Sequence, residues 1–283
     1  MAYSFRGRRG GGGGSLKIRL FIALIVAGGA LLSYYGTREY NPITDEVQHV
    51  DLSVDQEIAL GLQAAPEMAA QYGGQAPDPQ AQARVDRVGQ RLLERSTAKD
   101  SPYRFEFHVL ADENTINAFA LPGGQVFITN ALLKQLETEG QLAGVLGHEM
   151  GHVVARHGAQ HLAKAKLTQG LTGAAVIATY DPNNPRSANT AAVAAMIGQL
   201  VNLRYGREDE LESDRLGVRF TSEAGYNPSA MIRVMEILAK AGERRGGQPE
   251  FFSTHPNPDR RVERIQAAIS ERFPQGIPSE LEN

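Results

Sequence analysis

Apolar residues in this chain fall into short periodic blocks, and the period of each block predicts an element. Leu142, Val145, Leu146, Val153 and Val154 recur at helical spacing behind a polar run at 137–141, so a helix is expected to start in that run. The stretch "YGREDELESDRLGVRF" (205–220) carries Leu211, Leu216, Val218 and Phe220 and predicts another helix. Nearer the N-terminus, Ser53 caps a helix with Gln56 as its capping-box partner, and a further helix is expected over Pro79–Arg95. Alternation in "YRFEFHVL" (103–110) reads as a strand. Residues 119–121 and 125–129 flank Pro122-Gly123-Gly124, a turn signal, and form an expected hairpin. The elements amount to an α+β domain, mainly helical, with a small β-sheet beside the 140s helix.

The N-terminus has a different texture. Residues 1–19 are basic and glycine-rich, with Arg6, Arg8, Arg9, Lys17 and Arg19, and an uncharged stretch comes next at 20–37 before Arg38. Its strongly apolar part ends near Leu32, short of the roughly 20 residues of a full span, with 33–36 left to the interface. No clear A-x-A cleavage site is present after it, so an uncleaved signal anchor is expected, with a cleaved signal peptide as the alternative. Either places the C-terminal remainder of the chain across the membrane, because the positive charges stay on the cytoplasmic side. The expected location is a bacterial-type cell envelope: anchored in the inner membrane and facing the periplasm, or free in the periplasm if cleaved. Residues 38–50 read as a linker, 51–275 as one domain and 276–283 as a tail.

Composition narrows the chemistry. With 283 residues and 42% hydrophobic content there is material for a sizeable core. Lys+Arg of 29 against Asp+Glu of 32 leaves no basic surplus to recommend nucleic acid as a partner. Cysteine is absent, which removes disulfides, thiol catalysis, thiolate metal sites and a lipoprotein anchor. Oligomeric state is left open.

"VLGHEMGHVVARH" (145–157) holds the strongest chemical signal. On a helix, His148 and His152 stand about 40° apart around the axis, so both imidazoles reach one ion while Glu149 projects beside them. Two neutral nitrogen ligands leave zinc acidic enough to bring water to a pKa of about 7, and the adjacent carboxylate can take that water's proton. An H-E-x-x-H match arises by chance in a chain this poor in histidine on the order of once in a hundred sequences. On the same helix His157 and His161 would fall about 180° and 140° from His148, which assigns them to a polar face. Downstream, Glu210 and Asp214 are four apart and share a helix face. Glu210 can be an anionic third ligand and Asp214 can accept a ligand histidine's free N–H, the bland alternative being a solvated acidic face.

With "HEMGH" and "ELESD" on one chain, the sequence resembles the HtpX and CAAX prenyl protease family of zinc metallopeptidases, gluzincins, and most resembles its periplasmic LoiP/BepA-type branch. "NAFALPGGQVFITNALL" (117–133) and "THPNPDRRVERI" (254–265) are also similar to that family, and coverage runs from about residue 50 to 270. Ser213 stands where the family usually has alanine, a small residue for a small one. The resemblance implies a zincin-type domain with one Zn2+ on His148, His152 and Glu210, Glu149 as general base and Asp214 behind the ligands. It also points to 124–129, with Gly124, Gln125, Val126 and Phe127, as a strand that pairs with extended substrate. Asn117 is a weaker candidate that can simply cap a turn.

In "STHPNPDRR", Asn257 can cap a helix with Pro258 at its first position, leaving His255 on the loop before it. His255 can stabilise an oxyanion or close the metal's open position as a fourth ligand, and Arg261 is the other oxyanion candidate. The gate is favoured, since a loop residue before proline suits movement. Between the two motifs, two Ala/Gly-rich runs at 167–203 are each short for a span, and read as an amphipathic helical hairpin covering the site or touching the membrane. The implied function is a membrane-tethered or exported zinc endopeptidase acting on unfolded or misassembled envelope proteins. A non-turnover, chaperone-like binding factor with a zinc-containing cleft is the alternative, and Glu149 counts against it because a structural zinc needs no general base. A prenyl-protein protease is disfavoured for want of multiple spans.

Overall fold

The computed structural model describes residues 12–179, 205–245, 249–256 and 260–283. It opens on α1 (Gly12–Gly36), whose stretch Leu16–Gly36, 21 residues with mean hydropathy 1.9, is long and apolar enough to cross a membrane. The helix continues past Leu32 through residues 33–36, which supplies the turn that the apolar run lacks. Phe21, Leu24, Ile25 and Leu32 are exposed on it, as lipid-facing side chains would be.

Residues 38–50, expected as a linker, fold as an antiparallel hairpin of β1 (Arg38–Asn41) and β2 (Glu46–His49). Its amides finish another helix. Asn41 Nδ2 donates to the carbonyl of Val154 (2.7 Å) and Gln48 Nε2 to that of Ala155 (2.8 Å), which satisfies acceptors left open where the histidine-bearing helix ends.

Two helices come next, as the capping signals predict. Ser53 and Gln56 form the reciprocal capping box of α2 (Val54–Gln71), and Asp78 caps α3 (Pro79–Arg95). The sheet holds β3 (Glu106–Leu110), β4 (Ala118–Leu121) and β5 (Gln125–Thr129) in the order β3-β5-β4, with β3 parallel and β4 antiparallel to β5. The 122–124 turn makes the expected hairpin. However, β5 is the central strand, bonded on both sides, so the expectation that Gly124, Gln125, Val126 and Phe127 offer an edge to substrate is corrected. The edge beside the hairpin is β4.

After the single turn α4 (Asn130–Leu133), Thr138 caps α5 (Glu139–Val154), the histidine-bearing helix. It is buried from Gly140 to Val154, enclosed by α3, β4 and two later helices, α7 (Arg207–Glu223) and α8 (Ala230–Arg245). The core is continuous from Val88 and Leu92 through Val126 and Ile128 to Leu142, Leu146, Phe220 and Ile265. A second cluster seats α2 on the other side of the sheet, with Leu60, Ala64 and Met68 against Phe119, Leu121 and Phe127. Gly61 permits that contact, since a Cβ there would stand 1.9 Å from the Pro122 carbonyl oxygen.

Also among the described residues are α6 (His157–Thr179), the single turn α9 (Phe251–Thr254) and α10 (Arg261–Arg272). Part of the 167–203 region thus continues α6, which runs back along α1 with Gly170 against Ala30. Residues 180–204 lie outside the described residues, as do Asn257 and Pro258, so the expected lid and the Asn257 cap are not seen; α10 starts at Arg261 behind Arg260 in the left-handed region (φ 62°). The 276–283 tail is tied down. Arg91 donates to both oxygens of Glu282 (2.7 and 3.0 Å), and the Asn227 amide donates to the Glu282 carbonyl (2.7 Å).

Candidate active site

The site forms where α5 and α7 touch, and small residues set how closely they do so. A Cβ on Gly151 would come within 3.1 Å of the Ser213 backbone, and one on Gly217 within 3.2 Å of the His148 nitrogen. Larger residues would hold the helices apart. At this separation His148, His152, Glu210 and His255 converge, each offering one ligand atom, and these atoms all lie within 4.8 Å of one another. Nε2 of His148 is 3.1 Å from Nε2 of His152 and 3.4 Å from Nδ1 of His255, while Glu210 Oε1 is 3.1 Å from His255 Nδ1 and 3.4 Å from His152 Nε2.

Behind the cluster, Asp214 Oδ1 accepts from His148 Nδ1 (2.9 Å). Arg261 holds that carboxylate in turn, with Nε and Nη2 each 2.8 Å from its oxygens, and Nη1 stands 3.0 Å from Glu210 Oε2. This corrects the reading of Arg261 as an oxyanion donor: the guanidinium is buried and committed to two carboxylates. His255 ends α9, stacked on Phe251 (4.5 Å between centroids, 17°), and is fully buried among the ligands rather than on a surface loop. Its Nε2 is 3.6 Å from Glu149 Oε1.

Burial and charge tune these groups in opposite directions. Burial pushes the Glu149 carboxyl up, against the pull of nearby His255 and His148, as suits a group that must gain and lose a proton. Burial would also raise Glu210, but His255, His148 and His152 hold it well below the usual carboxylate range. Desolvation takes His152 well below its ordinary value, so the ring is neutral as a metal ligand must be. For His148, burial is outweighed by Asp214 and Glu210, which push it up to about 9, so a proton competes with a metal for this nitrogen.

His157 and His161 are not on a polar face. The histidine helix stops at Val154, Arg156 turns the chain through the left-handed region (φ 57°), and a new helix begins at His157. The 180° projection fails because no single helix carries both residues. His157 is instead buried, its Nδ1 2.9 Å from Nδ1 of His152 and its Nε2 3.0 Å from Glu212, while His161 reaches Asp209 (2.7 Å). Arg156 is anchored by the buried Glu57 (2.8 Å from Nε), which Tyr103 also reaches (3.0 Å). Sequence reasoning also missed Tyr205, whose ring stacks on His152 (3.8 Å, 19°). The Arg-His pair that begins four residues after His152 was a visible signal; Tyr205 offered none beyond leading the acidic segment. Asn117, the weak candidate, is buried and donates through Nδ2 to the Tyr72 hydroxyl at 3.0 Å, while its Oδ1 has no hydrogen-bond partner.

Three imidazoles and a carboxylate facing one point are the donor set of a divalent metal, zinc above all. His255 Nε2 and both oxygens of Glu149 are buried with no hydrogen-bond partner, an expensive arrangement unless a cation and a polar reactant meet them there. The residues fit the metal. Fold and site together define a metallopeptidase of the H-E-x-x-H kind, with the carboxylate of a later E-x-x-x-D helix facing the two histidines. The family model of peptidase family M48 matches residues 79–269, and the chain belongs to that family of zinc metalloendopeptidases. It is 32% identical over 255 residues to mitochondrial metalloendopeptidase OMA1 of Schizosaccharomyces pombe, covering 89% of this chain and 72% of the relative. To the beta-barrel assembly-enhancing protease of Escherichia coli K12 it is 30% identical over 241 residues, 81% of this chain but 47% of that protein. OMA1 of Saccharomyces cerevisiae matches at 28% identity, over 87% of this chain and 73% of the relative.

Proposed function

We propose that the chain is a membrane-tethered, zinc-dependent endopeptidase of the cell envelope that hydrolyses unfolded or misassembled proteins. The convergence of His148, His152 and Glu210 beside an unpartnered Glu149 carboxylate carries the reading. These three residues would hold one zinc per chain. When bound, the ion supplies Lewis acidity, lowering the pKa of water toward about 7 and polarising a carbonyl. Glu149 takes the proton of the attacking water and returns it to the leaving amine, and its raised pKa fits both transfers. Asp214 and Arg261 keep His148 and Glu210 in place.

The extended substrate lies along β4. Its outer edge pairs with no strand among the described residues, and Ala120 and Leu121 share a pocket with His152 and Tyr205. Backbone pairing selects for unfolded chain rather than for side-chain identity, consistent with an unfolded-protein substrate. His255 acts as a gate: it sits within ligand distance of the cluster and holds the resting enzyme closed until it swings away. The exposed apolar α1 is the tether.

Metal analysis with a casein-type degradation assay, on parent and Glu149→Gln, tests the reading. About one zinc per chain in both, with turnover only in the parent, is expected. Equal turnover in the two, or a parent without zinc, would overturn it.

A further inference from the structure

Each ligand histidine needs a proton on Nδ1 so that Nε2 can face the metal with its lone pair free. For His148 that is arranged by Asp214, a carboxylate, which can only accept. His152 has no carboxylate at Nδ1. It meets another histidine there, His157, at 2.9 Å, and His157 Nε2 meets Glu212 Oε2 at 3.0 Å. A neutral His157 between them orders the protons. With His157 as the neutral ring, the hydrogen that Glu212 accepts sits on His157 Nε2, its Nδ1 is left as an acceptor, and His152 donates from its own Nδ1.

We infer that His157 and Glu212 are positioning residues, a two-step relay that fixes His152 as the Nδ1–H tautomer and thereby makes its Nε2 a metal ligand. The inference rests on the proposed zinc site. Three features build the relay. Left-handed Arg156 turns the chain so that His157 faces back toward His152, and the buried Glu57 contact holds Arg156 in that conformation. Tyr205 stacks on His152 and sets the plane of its ring. Glu212 lies two residues beyond Glu210 on α7, so the helix that supplies the carboxylate ligand also orients the second histidine. The two histidine ligands are thus served unequally, one by a carboxylate directly and the other through an intervening imidazole.

Histidine-selective 15N NMR on the detergent-solubilised full chain reads the tautomers, and seven histidines keep the spectrum simple. Zinc affinity by chelator competition is the second measurement. In zinc-free parent protein His152 should be the Nδ1–H form. In His157→Phe, which keeps a ring but no nitrogens, it should shift toward Nε2–H, with zinc affinity about 10- to 100-fold weaker. His157→Asn, whose amide oxygen can still accept from His152, should recover part of that loss. If His157→Phe does not fold, Glu212→Leu, nearer the rim (side chain 12% exposed), makes the same test. An unchanged His152 tautomer together with parent-like zinc affinity in the folded variants overturns the relay, as does a parent with His152 in the Nε2–H form. Because the tautomer is read without metal, a parent that binds no zinc defeats the proposed function while leaving the relay to this measurement.

Discussion

Replacing Arg261 with methionine keeps a long apolar stem and removes the cation from between two buried carboxylates. Arg261 makes two hydrogen bonds of 2.8 Å to Asp214 and an ion pair of 3.0 Å to Glu210, and it is 2% exposed. Two hydrogen bonds to a charged group at about 1.5–3 kcal/mol each amount to roughly 3–6 kcal/mol. Removing one partner of a buried ion pair costs about 3–5 kcal/mol by a separate route, and the two agree. In a domain of this size each kcal/mol moves the melting midpoint about 2–4 °C, so the zinc-free variant should melt roughly 6–20 °C below the parent. The deficit depends on pH. Burial would raise Asp214, yet Arg261 and His148 hold it below its ordinary 3.8. A depressed carboxyl stabilises the fold above its unfolded pKa and loses that as pH falls through the folded value. The deficit should therefore be full at pH 7 and shrink in acid below about pH 4. Scanning calorimetry in the presence of chelator, at both pH values, measures it. A midpoint within about 2 °C of the parent at pH 7 refutes the clamp; a fall in kcat at full zinc occupancy with that unchanged midpoint would reinstate Arg261 as an oxyanion donor.

Glu210→Ala removes the anionic ligand and should abolish zinc binding, whereas Asp214→Ala should weaken it about 10- to 100-fold and still load at saturating metal; equal zinc retention in both variants would reject the ligand assignment. His255→Ala should raise basal proteolysis at full zinc content if the histidine gates the site, while reduced activity rejects the gate and unchanged activity rejects both its roles. Burial opposes ionisation of Glu223, but the Thr97 amide and hydroxyl and Arg219 overcome it and lower its pKa below 4.5. Its stabilisation is therefore present above pH 4.5 and lost as pH falls, so Glu223→Gln should melt lower than the parent at pH 7 and converge with it in acid. An equal gap at both pH values contradicts that pairing.

Local patterns carried much of this protein. Capping chemistry at Ser53 and Pro79 predicted two helices, the Pro122-Gly123-Gly124 turn predicted the β4–β5 hairpin, and the apolar spacing of the 140s predicted α5. The convergence of His148 and His152 was legible because i and i+4 on one helix share a face whatever surrounds them. Glu210 and Asp214 were legible for the same reason, and both converge on those histidines. The misreadings share a cause. Placing His157 on a polar face assumed that the helix ran on, whereas a single left-handed residue, held by a glutamate 99 positions earlier, ends it. Reading 38–50 as a linker missed that its amides cap α5 from more than a hundred residues away.

By itself the sequence determined what short-range periodicity and side-chain chemistry can express: the helices, the hairpin, the spacing of His148, Glu149 and His152 on one helix and an apolar N-terminal helix. Tertiary structure alone decided which strand of the hairpin is the edge, because strand order depends on β3 inserting parallel to β5, a pairing across nearly twenty residues that no local signal specifies. It also decided that Arg261 serves carboxylates and that His255 sits among the ligands. Both outcomes follow from how closely α5 and α7 pack at Gly151, Ser213 and Gly217, and from where α10 then places its first side chain. Contacts of this kind depend on distances between elements far apart in the chain, and those distances exist only once the core has closed.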